Sequence, residues 1–158
     1  MSTSLDALTP ELRPFARALV DAAGVAELAP RVTSTRRSTF DQTRLYLSYL
    51  RGVHPYPVAF PGTSAHEFGE AFDMLVTPYD ALADVGAFWQ EMRGGWGGAR
   101  DPIHFELPGA SQAHPITFER VQAFYKKYGL YSGQAEAYGT TCILVKGQGY
   151  VCTPGPTP

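Results

Sequence analysis

Cysteine is scarce in this 158-residue chain: only Cys142 and Cys152 occur, too few for a disulfide scaffold and without the Cys-x-x-Cys spacing of a thiolate metal site. They flank a predicted hairpin, strands 141–145 and 150–152 around Lys146-Gly147-Gln148-Gly149, and a single loop register would set them opposite each other. Two free thiols are the expectation for a cytoplasmic product. Long hydrophobic runs are missing as well. No stretch approaches a membrane span, and MSTSLDALTP has neither the basic start nor the apolar centre of a signal peptide, so a soluble chain made in the cytoplasm is expected. Charge of either sign is in little excess, 13 Lys and Arg against 15 Asp and Glu for a net of -2, which gives no electrostatic reason to expect nucleic acid or an anionic membrane as a partner. Internal repeats and linkers are absent, and residues 1–158 read as one domain, expected to be a monomer.

What is present suffices for a core: 44% of residues are hydrophobic, in a chain long enough to bury them without staples. Thr9-Pro10 predicts a helix start, followed by Leu12, Phe15, Leu19 and Ala23 at helical spacing up to Gly24. Ser38 predicts a second N-cap, with Asp41 three residues on and Leu45, Tyr49 and Leu50 as the apolar positions. Residues 53–63 include Pro55, Pro57, Pro61 and Gly62 and read as a loop. Residues 71–76 read as a buried strand. Thr77-Pro78 predicts a third helix with Leu82, Val85, Phe88, Trp89 and Met92 as its stripe, ended by Gly94-Gly95. Thr117 predicts a fourth, whose Phe118, Val121, Phe124, Tyr125 and Tyr128 read as packing; the hairpin and the tail TPGPTP follow.

The stretch SAHEFGEAFD, residues 64–73, places His66 and Asp73 seven apart around Gly69. Neutral imidazole and carboxylate are ligands for first-row metals, and catalytic zinc sites use three protein side chains and leave a position for water. The third candidate is His104 in DPIHFEL, residues 101–107. Period-two alternation there puts His104 and Glu106 on one face of a short strand and Phe105 and Leu107 on the other, so one face can serve a site while the other enters the core.

The two stretches match S-x-H-x-x-G-x-A-x-D and D-x-x-H-F-E-L, and together they resemble the D-Ala-D-Ala carboxypeptidase family of zinc peptidases, in particular its phage L-alanoyl-D-glutamate endopeptidase branch. The resemblance implies an α+β fold of hedgehog/D,D-peptidase type, a small antiparallel sheet carrying Zn2+ with helices around it. It implies His66, Asp73 and His104 as zinc ligands and Asp101 as the base that moves protons between water and the leaving amine. Glu106 competes for that role, and holding His104 is the expectation for it. The segment TSTRRS, residues 33–38, with Gln42 following, is similar to the family's T-S-x-x-R-S, where the arginine binds a substrate carboxylate; this puts Arg37 in that role, while Arg36 stands where relatives have an aromatic, leaving open which arginine faces inward. Ser64 is read either as a partner of the same substrate group or as a turn residue. Trp89 falls on a helical stripe and reads as core; Trp96, in a glycine-rich turn, reads as a substrate contact. His54 and His114 receive no role.

The function implied is hydrolysis of the L-Ala-D-Glu bond of the peptidoglycan stem by an endolysin that accumulates in the host cytoplasm and acts on the wall after release, with no separate wall-binding module. D-Ala-D-Ala carboxypeptidase is the alternative activity, and a non-catalytic wall-binding or virion-structural protein on the same fold is the alternative of another class.

Overall fold

Thr9 Oγ1 accepts a hydrogen bond from the Leu12 amide, but the helix it heralds opens later than the Thr9-Pro10 signal predicts, as α1 (Arg13–Val25) with Pro14 in its first turn. Leu12, Ala16, Leu19 and Ala23 face inward; Phe15, expected among them, is half exposed. Ser38 caps α2 (Thr39–Leu50) as predicted, its hydroxyl accepting from the Asp41 amide. The buried face of α2 is Gln42 and Tyr46, not the predicted Leu45, Tyr49 and Leu50. Gln42 enters because both ends of its amide are paired: Oε1 accepts from Arg37 Nη1 at 2.8 Å and Nε2 donates to the Ala59 carbonyl at 2.8 Å.

The computed structural model of the protein describes residues 2–130, 134–137 and 139–154, so most of the predicted TPGPTP tail lies outside the described residues. Two compact units appear, residues 1–114 and 115–158. The first is built on a four-stranded antiparallel sheet, β1 (Arg31–Ser34), β2 (Ala71–Leu75), β3 (Gly95–Trp96) and β4 (His104–Glu106), in spatial order β1-β2-β4-β3. Register decides what each face carries. Asp73 lies opposite both Ser34 and His104, and Ala71 opposite Glu106, so these share one face. Phe72 and Phe105 pair on the other, rings stacked with centroids 5.5 Å apart, and Trp89 of α3 (Leu82–Glu91) meets both edge-on. Each of these large side chains is fully buried, worth about 1.5–3 kcal/mol apiece. A 3-10 turn, Tyr79–Ala81, stands where Thr77-Pro78 predicts the start of α3, and Phe88, expected on the stripe, is exposed.

The second unit packs α4 (Phe118–Tyr128), capped by Thr117 as predicted, on a three-stranded antiparallel sheet of β5 (Gln134–Ala137), β6 (Thr140–Val145) and β7 (Gly149–Cys152). Phe118, Val121, Tyr125, Ile143, Val145 and Val151 form its interior. The expectation of two free thiols is corrected here. Residues 146–148 close the β6–β7 hairpin in the one register that sets Cys142 opposite Cys152, and the two are joined as a disulfide. Thiol titration of the unreduced, denatured protein is therefore expected to detect no free cysteine; finding two would contradict the pairing. Reduction is expected to loosen this small unit by roughly 2–4 kcal/mol.

Candidate functional site

The stretch that carries His66 is shaped by its own cap. Ser64 Oγ accepts from the His66 amide, and the Glu67 carboxylate accepts from the amides of Gly62 and Ser64, forming a capping box around a single 3-10 turn, Ala65–Phe68. Gly69 ends it at φ +71, a left-handed conformation that also brings its backbone against residues 7–9: the Thr9 amide donates to the Gly69 carbonyl at 2.9 Å. The turn faces His66 inward, and β2 then delivers Asp73 and pairs it with His104.

His66, Asp73 and His104 each offer one ligand atom, all within 4.8 Å of one another, and among the described residues no fourth His, Cys, Asp or Glu joins them. The hydrogen bonds on the far side of each ring fix which nitrogen is offered. His66 Nδ1 lies 2.7 Å from the Thr35 carbonyl, which can only accept, so Nδ1 carries the proton and Nε2 faces the site. His104 Nε2 lies 2.8 Å from Glu106 Oε2 and donates to it, so Nδ1 faces the site. The two inward nitrogens are 3.3 Å apart, and each lies close to Asp73 Oδ1, at 3.2 and 3.4 Å. Two imidazole lone pairs and a carboxylate oxygen converging on one point repel each other unless a cation lies between them; this donor set suits a divalent ion with room for solvent.

Electrostatics describe what the metal-free cluster does instead. Burial pushes the His104 pKa down, but its hydrogen bonds to Asp73 and Glu106 prevail and raise it from 6.5 to about 10. Burial would raise that of Asp73, yet the hydrogen bonds from His104 and His66 hold its carboxyl well below the usual carboxylate range. A proton on His104 thus offsets the negative charge of Asp73 and Glu106.

Glu106 holds His104 and is itself held. Ser111 donates to it through both its amide, at 3.2 Å, and its hydroxyl. Gly95 lies opposite Glu106 in the sheet, where a β-carbon would stand 2.8 Å from Glu106 Cγ. Neither Ser111 nor Thr35 carries a signal in the sequence, since each acts through a contact that only the fold creates.

Asp101 precedes His104 in a tight turn closed by the His104 amide donating to the Asp101 carbonyl at 3.1 Å. Burial raises its pKa, the charge of His104 lowers it and that of Asp73 raises it again, leaving it above the ordinary aspartate value. Arg37 faces inward, 7% exposed, while Arg36 is exposed. Its guanidinium donates to Gln42 and to Ser34 Oγ, lies 3.6 Å from Asp73 Oδ2, and has a buried Nε with no hydrogen-bond partner. Ser64 acts as the cap described above, the turn-residue alternative.

Trp96 is placed differently from its expected role. Its register partner is Phe105, so it points to the core face, opposite His104 and Glu106; its ring covers Gly86 of α3 and its Nε1 donates to the Pro102 carbonyl at 2.8 Å. A glycine-rich turn gives it no helical face of its own, but Gly86 makes the needed hollow. Trp89 is core, as read. His114 pairs with Glu70 at 2.8 Å beneath the stacked ring of Phe68.

No protein-family model and no curated protein matches the chain. Among solved structures it is similar to VanYB in complex with D-alanine-D-alanine, with 19% identity over 78% of each chain and a TM-score of 0.47. It is likewise similar to the L-Ala D-Glu endopeptidase ChiX of Serratia marcescens, with 19% identity over 68% of this chain and 86% of that one and a TM-score of 0.49. A third is an L,D-carboxypeptidase, DacB, from Streptococcus pneumonia, with 20% identity over 80% and 79% and a TM-score of 0.49.

Proposed function

We propose that the protein is a zinc peptidase that hydrolyses the L-Ala-D-Glu bond in the peptide stem of peptidoglycan, as an endolysin made in the host cytoplasm and released to the wall. The observation that carries this reading is the pair of inward imidazole nitrogens 3.3 Å apart beside one Asp73 oxygen, each oriented from behind, within two motifs of that family. Residues 1–158 then form one catalytic domain, acting as a monomer on the stem peptide.

His66 Nε2, Asp73 Oδ1 and His104 Nδ1 would hold the ion, which when bound supplies a Lewis acid for the scissile carbonyl and lowers the pKa of water toward neutrality. Asp101 takes the proton from the attacking water and returns it to the amine nitrogen as the carbon–nitrogen bond breaks; a carboxyl with a raised pKa suits both halves of that task. Glu106, held by Ser111, keeps His104 in its ligating tautomer. Arg37 anchors the carboxylate next to the scissile bond, its charge kept inward by Asp73, Ser34 and Gln42.

A free carboxylate lies beside the bond both in a terminal D-Ala-D-Ala and in γ-linked D-Glu, so Arg37 is consistent with either. The aspartate base in a D-x-x-H-F-E-L context favours the L-Ala-D-Glu bond. The Cys142–Cys152 disulfide is consistent with work outside the reducing cytoplasm. Digesting purified peptidoglycan with the zinc-loaded protein is expected to release new N-terminal D-Glu; free D-Ala in its place would make the protein a D,D-carboxypeptidase.

A further inference from the structure

Three ring side chains that no part of the proposed chemistry uses form a cluster, and two of them feel the charge of Asp101. His54 and Tyr56 come from the loop before the His66 turn, and Tyr79 from the turn after β2. The loop is pinned by buried Val58 and Phe60 and by the Ala59 carbonyl on Gln42, the residue that also holds Arg37. Beyond that anchor, Pro55 and Pro57 bracket Tyr56 and restrict its backbone. The His54 ring meets Tyr56 edge-on at 6.0 Å, and its Nδ1 donates to the Tyr56 carbonyl at 3.1 Å. The Tyr56 and Tyr79 hydroxyls pair with each other, and the charge of Asp101 reaches both Tyr79 and His54. Yet Tyr56 is 39% and Tyr79 49% exposed. Stiffly held aromatic rings left open to solvent next to a reacting group are contact area already ordered for a ligand.

We propose that His54, Tyr56 and Tyr79 form a subsite for the amino sugar that carries the stem peptide, the N-acetylmuramyl group on the acyl side of the scissile bond. This rests on the L-Ala-D-Glu reading above. In that bond the acyl side is one alanine, about 3.5 Å of extended chain, before the lactyl ether of the sugar begins, so the sugar falls beside the reacting atoms. For a D-Ala-D-Ala bond the same place is taken by peptide leading to a residue with a charged amine. The rim offers ring faces and hydroxyls, which match a neutral pyranose.

Isothermal titration of the zinc-loaded protein, in an Asp101→Asn background to prevent turnover, tests this with three probes: N-acetylmuramyl-L-Ala-D-Glu, N-acetyl-L-Ala-D-Glu, and the tripeptide L-Lys-D-Ala-D-Ala. The sugar-bearing probe is expected to bind about tenfold more tightly than its sugar-free counterpart. Tyr79→Ala is expected to erase that difference, while Tyr79→Phe, which keeps the ring and the fold, retains most of it. Equal affinity for the first two probes, or tightest binding of the lysyl tripeptide, overturns the subsite. Because binding is read without hydrolysis, failure of the wall digestion above counts against the peptidase reading and leaves this outcome separately decided.

Discussion

Replacing Asp101 with alanine is expected to lower hydrolysis of wall peptides by about 10²- to 10⁴-fold while zinc content stays at one ion per chain. The first half of that expectation follows from the turn that ends at His104. The His104 amide on the Asp101 carbonyl ties base to ligand through four residues, and the Gly97 amide donates to the His104 carbonyl at 3.0 Å, so the backbone around the carboxyl is held twice. Gly97 permits this approach: a β-carbon there would stand 2.2 Å from the Asp101 carbonyl oxygen. The backbone that carries the carboxyl is therefore held, and burial raises the carboxyl's pKa, two attributes that suit a proton carrier at neutral pH. The second half follows because Asp101 is not among the converging donors. Turbidity loss of a cell-wall suspension, measured beside metal analysis, checks both. An Asp101→Ala protein that clears walls at the normal rate would show that another group moves the proton; one that loses zinc would show that Asp101 is a ligand.

Stripping the metal is expected to abolish the proposed activity altogether, and the affinity with which zinc returns is expected to depend steeply on pH. In the metal-free protein His104 holds a proton up to about pH 10, and the ion must displace it. The folded pKa lies above the ordinary 6.5, so between roughly 6.5 and 10 the metal-free fold binds a proton that the unfolded chain does not. The stabilisation from that proton is complete below about 6.5 and fades as pH rises to about 10. Zinc affinity moves the opposite way, rising about tenfold per pH unit across the same window, with one proton released per ion bound. Competition against a chromophoric chelator from pH 6.5 to 8.5 measures the slope; a flat profile would mean that the cluster is not protonated as described. Glu106→Gln removes one of the two carboxylates that stabilise the charged His104 ring, so its pKa falls; the substitution is expected to flatten the slope at the upper end of the window and to weaken zinc binding by about 10- to 100-fold.

Much of this centre was legible in the sequence because its determinants are local. The cap at Ser38 and the cap at Thr117 each need only a hydroxyl and the amide three residues on, and both form. The alternation that puts His104 and Glu106 on one face of β4 is a property of any strand. What stayed hidden was decided by register or by distant partners. Thr35 orients His66 across 31 residues, and Ser111 holds Glu106 from a turn with no motif of its own. Trp96 went to the core because β3 pairs Gly95 with Glu106, a pairing that no glycine-rich composition announces. Gln42 is buried through polar partners that a hydrophobicity pattern cannot see, and the disulfide waited on which of several hairpin registers the loop adopts.

The rung Ser34–Asp73–His104 spans three strands and acts as a ruler for the centre. Sliding β2 by a single position would rotate Asp73 into the Phe105 layer and bring Phe72 out among the imidazoles, so no compensating point substitution could restore the ligand. A change of length is accordingly expected to be tolerated in connections such as residues 53–57, ahead of the buried Val58 and Phe60, where a gained or lost residue reshapes the rim while leaving the three candidate ligands in register.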